Sequence, residues 1–251
     1  MLHYPISEQY NKFFKVKFAN DKNLRTEAFK IRHKVYSEEL GWEPENVRKL
    51  EIDEWDNHAH HCLLYHKRTS RYIGCIRLVI PPPSKPNTKL PFEKSCLDSA
   101  YTSVVNSRHF ARGSFGEISR LAILDEFRRI QSANTKTATQ FHHSDEEKRF
   151  LPNLAIGLYF ASLALADLCQ HTGVFVMMEP KLNKRLKRLG LPFVQAGATM
   201  DYHGMRAMFF LDRKDFCKHL SDDYAHLYHA IHHDLSQQLN LIPYSDYKQH
   251  G

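Results

Sequence analysis

Apolar positions recur along this chain at two spacings, two and three-to-four, and the switches between them predict a mixed α/β architecture. Residues 13–19 (FFKVKFA) read as a first strand from their aromatic and β-branched content. A helix follows over 24–40, with Leu24, Ala28, Ile31 and Val35 on one stripe, Arg32 and Tyr36 one turn apart on another, and Gly41 to end it. Residues 42–57 are acidic, rich in turn formers and without period, so a long loop is expected there, and long loops inside compact domains are usually functional. Strands at 61–65 and 72–80, separated by HKRTSR, suit an antiparallel hairpin closed by Pro81, Pro82, Pro83 and Pro86.

Further along, 115–124 reads as a strand and 125–149 as short helix mixed with loop. An apolar helix is expected over 153–171, and 174–178 has the length and continuous apolarity of a central strand. Residues 181–189 read as a helix with Leu182, Leu186 and Leu189 on one side and Lys184, Arg185, Lys187 and Arg188 on the rest, stopped by Gly190. Two more strands, 193–200 and 205–211, would be joined by the turn DYHG. The end is helical, with Leu220, Tyr224, Leu227, Ile231, Leu235 and Leu239 three or four apart, and no internal repeat interrupts the series.

Charges inside the apolar runs carry the chemical signal. Arg77 alternates with Ile76 and Leu78 and shares a face with Cys75 and Val79, while Glu117 and Arg120 interrupt the strand 115–124. An unpaired charge in a protein interior costs several kcal/mol or more. The simplest resolution is one ionic cluster, with Arg32, Arg77 and Arg120 set against Asp53, Asp56 and Glu117. Glu117 and Arg120 are an odd number of residues apart, so a flat strand would put them on opposite faces; either they do different jobs or a bulge turns one around.

Composition narrows the class. At 251 residues, 42% hydrophobic and 25% charged, the chain reads as one globular domain, 1–251, with a core at about 13–212 and a helical extension at about 213–251. Five widely spaced cysteines (Cys62, Cys75, Cys96, Cys169, Cys217) make neither a disulfide framework nor a zinc site. The first residues read as no exported leader, and a cytoplasmic protein is expected. The longest apolar run, 154–166, falls short of the roughly 18 residues a membrane crossing needs and reads as a buried helix.

Histidines at 58, 60 and 61, and at 226, 229, 232 and 233, lack partner ligands at metal-site spacing and read as solvent-facing; no metal is expected. Nucleophile-elbow, phosphate-loop and dinucleotide motifs are absent from the sequence. A formal charge of +7 favours an acidic partner, and the basic helix 181–189 is the local candidate for docking one. Basic residues are not interleaved with aromatic ones in the RNA-binding manner, so no nucleic acid is expected.

Taken in order, I31-R32-H33-K34-V35-Y36, L40-G41-W42, E51-I52-D53-E54-W55-D56, I76-R77-L78 and E117-I118-S119-R120 resemble the acyl-homoserine lactone synthases and their relatives. Those relatives are the N-acyl amino acid synthases and the acyltransferases associated with exosortase (PEP-CTERM) systems, to which F127-R128-R129 and the long final helix are the more similar. The resemblance implies a GNAT fold: a mixed, mostly antiparallel sheet with helices on both faces, splayed between strands 4 and 5, plus an extra C-terminal helix. It implies that Arg32, Trp42, Asp53, Asp56, Arg77, Glu117 and Arg120 occupy the family's charged and aromatic positions.

Acetyl-CoA users of this fold wrap pyrophosphate in a glycine-rich loop after the fourth strand, whereas here Arg128, Arg129, Ile130, Gln131, Ser132, Ala133 and Asn134 offer no glycine. An acyl-carrier-protein thioester is therefore the expected donor ahead of acyl-CoA, with no tightly bound cofactor. Carrier proteins are acidic, which suits Lys181, Lys184, Arg185, Lys187 and Arg188. The expected reaction moves a fatty acyl group to the amine of a small acceptor such as an amino acid. Glu117 would be the base, backbone N–H groups near Leu121 and Ala122 would hold the oxyanion, and the ionic network with Tyr36 and Trp42 would orient the acceptor. The alternatives are a lactone synthase taking S-adenosylmethionine and a non-catalytic basic binding module.

Overall fold

The computed structural model describes residues 5–95, 111–128 and 143–240. Its first element, helix α1 (Ile6–Phe13), was not marked by periodicity, because only Tyr10 and Phe13 of its eight residues are buried. β1 (Phe14–Phe18) follows with the alternating burial its sequence predicts. Helix α2 (Lys22–His33) is capped by Asp21, whose side chain accepts from Leu24 N–H at 2.9 Å. The helix expected to run unbroken to residue 40 instead widens into a π-helical turn over Lys34–Glu39, closed by Leu40 N–H donating to the Val35 carbonyl. Gly41, at φ +63°, then turns the chain out.

The hairpin forms from β2 (Ala59–His66) and β3 (Arg71–Val79), preceded by a 3-10 turn over Glu54–His58 inside the expected loop. After α3 (Pro91–Ser95) come β4 (Phe115–Ile123), α4 (Asp125–Arg128), α5 (Asp145–Phe150) and the apolar helix α6 (Leu154–Leu168). β5 (Gly173–Met178), α7 (Pro180–Arg188) and β8 (Met205–Asp212) occupy their predicted places, and α8 (Asp222–Asn240) closes the described chain. The strand expected over 193–200 is reduced to two two-residue pairings, β6 (Val194–Gln195) and β7 (Met200–Asp201), both against β8.

The sheet order is β1-β2-β3-β4-β5-β8-β6, with β4 and β5 parallel and the other neighbours antiparallel. Helix α2 packs on one face and α6 on the other, where α1 and α8 join it. Alternation along β3 shows the two sides directly: Cys75 Sγ lies 3.7 Å from the Ala28 carbonyl of α2, whereas a Cβ on Gly74 would meet Leu158 of α6. Gly173 opens β5 without a side chain because a Cβ there would lie 2.4 Å from the Phe210 ring. The stretch Asp145–Leu168 is long and apolar enough by composition to cross a membrane, yet α6 is buried along nearly its whole length against sheet and α8. Cys62, Cys75, Cys169 and Cys217 are free thiols, and Cys96 lies outside the described residues, as does the extension beyond Asn240.

Two features of β4 position everything that follows. Its pairing with β5 runs from Phe115 opposite Gly173 to Ile118 opposite Val176 and stops there, although both strands continue. Its pairing with β3 slips by one residue between Cys75, opposite Ala122, and Arg77, opposite Ser119. That slip is a bulge with Arg120 at φ +53°, a left-handed conformation a non-glycine residue adopts at a cost.

Candidate active site

Where β4 and β5 part, a cleft of about 420 Å³ opens through the sheet. Residues from both faces line it: Glu117, Arg77 and Asp53 from the α2 side, and Ile118, Val176 and Tyr159 from the α6 side. One end of the cleft is thus charged and the other apolar. A long apolar chain carrying a polar reacting head matches that division.

The charged end rests on a cluster of three arginines and the carboxylates of the loop, with Glu43 at its rim 3.7 Å from Arg120. Arg32, fully buried, donates from Nε to Glu51 and from Nη1 to Asp56 at 2.6 Å. Arg77, also buried, donates from Nη1 to Asp53 at 2.6 Å and to Asp56 at 2.7 Å, and from Nε to Ser119 at 3.1 Å. Arg120 reaches Glu51 at 3.1 Å and Asp53 at 3.2 Å, with its guanidinium over the Tyr36 ring. Burial alone would raise the Asp56 carboxyl, but Arg32 and Arg77 hold it well below its ordinary value. The bulge is what brings Arg120 here; on a flat strand its side chain would enter the opposite, apolar face.

The expectation of one cluster holds for Arg32, Arg77, Arg120, Asp53 and Asp56, and fails for Glu117. The third carboxylate is Glu51, whose backbone N–H donates to the Phe29 carbonyl of α2 at 3.1 Å and so ties the loop to the helix. Glu117 shares the face of Arg77 but stands apart, 4% exposed, accepting from the Phe92 backbone N–H at 2.8 Å. Burial pushes its carboxyl up to about 8, against smaller downward pulls from the Phe92 N–H, Arg77 and Arg120. A carboxyl that titrates near neutrality and faces a cleft has the properties a general base needs.

Tyr36 and Trp42 also reach the cleft. The Tyr36 hydroxyl donates to the Leu121 carbonyl at 2.8 Å, and its ring stacks on Trp42 with centroids 6.0 Å apart. Trp42 stacks in turn on His203 at 5.2 Å, and the Arg206 guanidinium lies over the same indole at 5.2 Å. His203 and Arg206 were not singled out in the sequence; they sit beside the turn at Gly204, and an isolated His or Arg in a polar turn gives no periodic signal. Leu121 lines the cleft and Ala122 lies beneath it, opposite Cys75 and buried.

On α7, Leu186 is buried and Leu182 lines the cleft, while Lys181, Lys184, Arg185, Lys187 and Arg188 are exposed, Arg185 donating to the Pro152 carbonyl at 3.0 Å. Arg128 lines the cleft and pairs with Glu39 at 2.5 Å, whereas the segment 129–134 considered for pyrophosphate lies outside the described residues. The reading of the histidines as solvent-facing is corrected for His60 and His61, which are 5% and 1% exposed at the ladder beside the cluster. Burial pushes His61 down to about 3 and keeps it neutral. His226, His229 and His233 on α8 do face solvent, and His232 lies 2.9 Å from Asp167. Among the described residues no group of three or more His, Cys, Asp or Glu is placed to hold a metal ion.

Comparison with known proteins agrees with this geometry. Residues 31–137 match the family described as Acetyltransferase (GNAT) domain. No curated protein sequence matches the chain. Among solved structures, TofI in a ternary complex with an inhibitor and MTA is similar over 85% of this chain and 99% of its own, at 17% identity and TM-score 0.57. BjaI, a CoA-dependent acyl-homoserine lactone synthase solved with SAM and isopentyl-CoA, is similar over 88% and 89%, at 16% identity and TM-score 0.55. FeeM, an N-acyl amino acid synthase from uncultured soil microbes, is similar over 82% and 94%, at 15% identity and TM-score 0.52. The splayed, bulged fourth strand, the match over residues 31–137 and the shared overall architecture show that this chain has a GNAT fold and carries an acetyltransferase-type (GNAT) domain.

Proposed function

We propose that this enzyme moves a fatty acyl group from a carrier-protein thioester to the amine of an amino acid, giving an N-acyl amino acid. The observation that carries the reading is the buried carboxyl of Glu117, held by the Phe92 N–H at the point where β4 and β5 separate and pushed up to about 8 by its burial. The apolar end of the cleft, between Ile118, Val176 and Tyr159, takes the acyl chain, and the thioester carbonyl lies at the parting. The acceptor nitrogen attacks that carbonyl carbon while Glu117 removes its proton, directly or through water. β4 beyond Ile118 has no β5 partner, and the Leu121 backbone N–H is the candidate oxyanion donor there, whereas Ala122, opposite Cys75, turns its N–H toward the β3 ladder and does not serve as the second donor expected from the sequence. Collapse of the tetrahedral intermediate breaks the C–S bond and releases the carrier thiol.

The exposed basic face of α7, flanking the cleft through Leu182, suits an acidic carrier protein, and the reaction is placed in the cytoplasm where such carriers work. The test incubates the purified enzyme with acyl-carrier-protein or acyl-CoA donors of several lengths and pooled amino acids, and identifies products by mass spectrometry alongside lipid extracts of overproducing cells. N-acyl amino acids formed from the carrier-bound donor are expected, with Glu117→Gln slowed by roughly 100-fold or more. A lactone formed only when S-adenosylmethionine is supplied would replace this acceptor, and unchanged turnover in Glu117→Gln would remove the base.

A further inference from the structure

Among the described residues four arginines line the cleft, and three of them are neutralised within the protein. Arg77 is held by Asp53 and Asp56, Arg120 by Glu51 and Asp53, and Arg128 by Glu39. Arg206 differs. Among the described residues no carboxylate pairs with it, and its Nε is buried without a hydrogen-bond partner. Its guanidinium carbon lies 5.2 Å from the centroid of the Trp42 ring, and Trp42 itself stacks on Tyr36 and on His203.

Arg206 also faces the chemistry. Along β8 it shares a face with Met208 and Phe210; Met208 is opposite Met177, Phe210 is opposite Phe175, and Phe175 is opposite Glu117. It therefore projects from the side of the sheet that carries the carboxyl of Glu117. Its charge is felt at the Tyr159 hydroxyl, where burial pushes the phenol up and the guanidinium pulls the other way. A half-buried, pre-oriented fork of N–H donors without an internal counterion is suited to a planar anion supplied by a ligand.

We propose that Arg206 is the anchor for the acceptor's carboxylate, with the Tyr36–Trp42–His203 stack holding the guanidinium in place. This rests on the N-acyl amino acid reading and adds a specificity to it: the acceptor is a free amino acid rather than an amine without an acid group. The acid group on Arg206 turns the amine toward Glu117.

The test compares each amino acid with its own carboxamide as acceptor, in the wild-type enzyme and in Arg206→Met, which keeps the length of the stem. Amide and acid differ in amine basicity, so each acceptor serves as its own reference across the two proteins. Arg206→Met is expected to lower kcat/KM for the acids by roughly 10- to 100-fold, the loss of a charge-assisted pair, while leaving the carboxamides within a factor of two or so. Arg206→Lys should recover part of the loss, because it restores charge without the fork. Equal losses for acids and amides, or a rise in KM for the thioester donor alone, would overturn the anchor while leaving N-acyl transfer standing. Should Arg206→Met fail to fold, an Arg206→Gln enzyme, polar but uncharged, that keeps the wild-type ratio of acid to amide turnover overturns it equally. Failure of the wild-type enzyme to acylate any amine, acid or amide, removes the proposed function and the anchor together.

Discussion

Replacing Glu117 with Gln removes a proton-binding site from the interior while keeping the shape of the side chain and an oxygen to accept from Phe92 N–H. The native carboxyl is pushed up to about 8 from an ordinary value of 4.5. Between those values the unfolded chain has lost the proton and the native chain has kept it. The native state then binds more protons than the unfolded state, so stability falls as pH rises through this window. The contribution is fully present below about 4.5 and gone above about 8.

At about 1.4 kcal/mol for each tenfold step in proton concentration, that gap has a ceiling of roughly 5 kcal/mol. Water entering the cleft beside an ionised carboxylate relaxes part of the penalty, which makes roughly 2–5 kcal/mol the working range. A carboxamide does not titrate, so Glu117→Gln should match the wild type near pH 5 and exceed its stability by that amount near pH 9. Urea unfolding of both proteins at pH 5, 7 and 9 measures the difference with every other ionisable group held in common. A difference that stays constant across the series would refute the reasoning, because the Glu117 carboxyl would then ionise as it does in water. The same value means only about a tenth of the base is ionised at pH 7, so wild-type kcat/KM should climb toward pH 8.

Two further exchanges test the cluster and the bulge. Arg77→Met strands Asp53 and Asp56 in the interior and should cost about 3–5 kcal/mol, read as a melting temperature lower by roughly 10 °C; a wild-type value would mean the pair is solvated. Arg120→Gly and Arg120→Ala lose the same contacts to Glu51 and Asp53, but only Gly accepts φ +53° freely, so the Gly variant should be the more stable by about 1 kcal/mol in urea midpoints. An Ala variant as stable as the Gly variant would argue against a left-handed residue at this position.

Local periodicity made the hairpin β2–β3, the buried helix α6 and the amphipathic helix α7 legible, since each exposes its pattern within one element. The same logic found Arg32, Arg77 and Arg120, because a lone charge in an apolar run demands a partner whatever the fold. It did not say which partner. Glu51 and Glu117 are both acidic residues near apolar neighbours, and only the loop's attachment to Phe29 puts Glu51 against Arg32 while β4 carries Glu117 toward Phe92. The π-turn after His33 and the left-handed residue at 120 are set by what the backbone packs against, so no window of sequence contains them. His203 and Arg206 become part of the cleft through one turn of β8 that meets Trp42 from far along the chain.

The bulge and the unusual carboxyl are two consequences of one arithmetic. Arg32, Arg77 and Arg120 bring three positive charges to one side of the sheet; Glu51, Asp53 and Asp56 bring three negative ones inside it, and the more exposed Glu43 adds a fourth at the rim. On a flat β4, Arg120 would point into the α6 face, leaving two guanidinium groups for three loop carboxylates, a surplus of negative charge in a buried site. Turning Arg120 by one inserted residue brings it onto Glu51 and Asp53, and Glu117, three residues earlier on the same strand, pairs with no arginine or lysine among the described residues. Its charged form is therefore penalised by burial, which the Phe92 N–H and the more distant Arg77 and Arg120 offset only in part, and its carboxyl is pushed up to about 8. Structural strain at residue 120 and a basic carboxyl at residue 117 belong to the same design: the ion pairs hold the loop over the cleft, and their completeness is what leaves Glu117 free to take a proton from the acceptor.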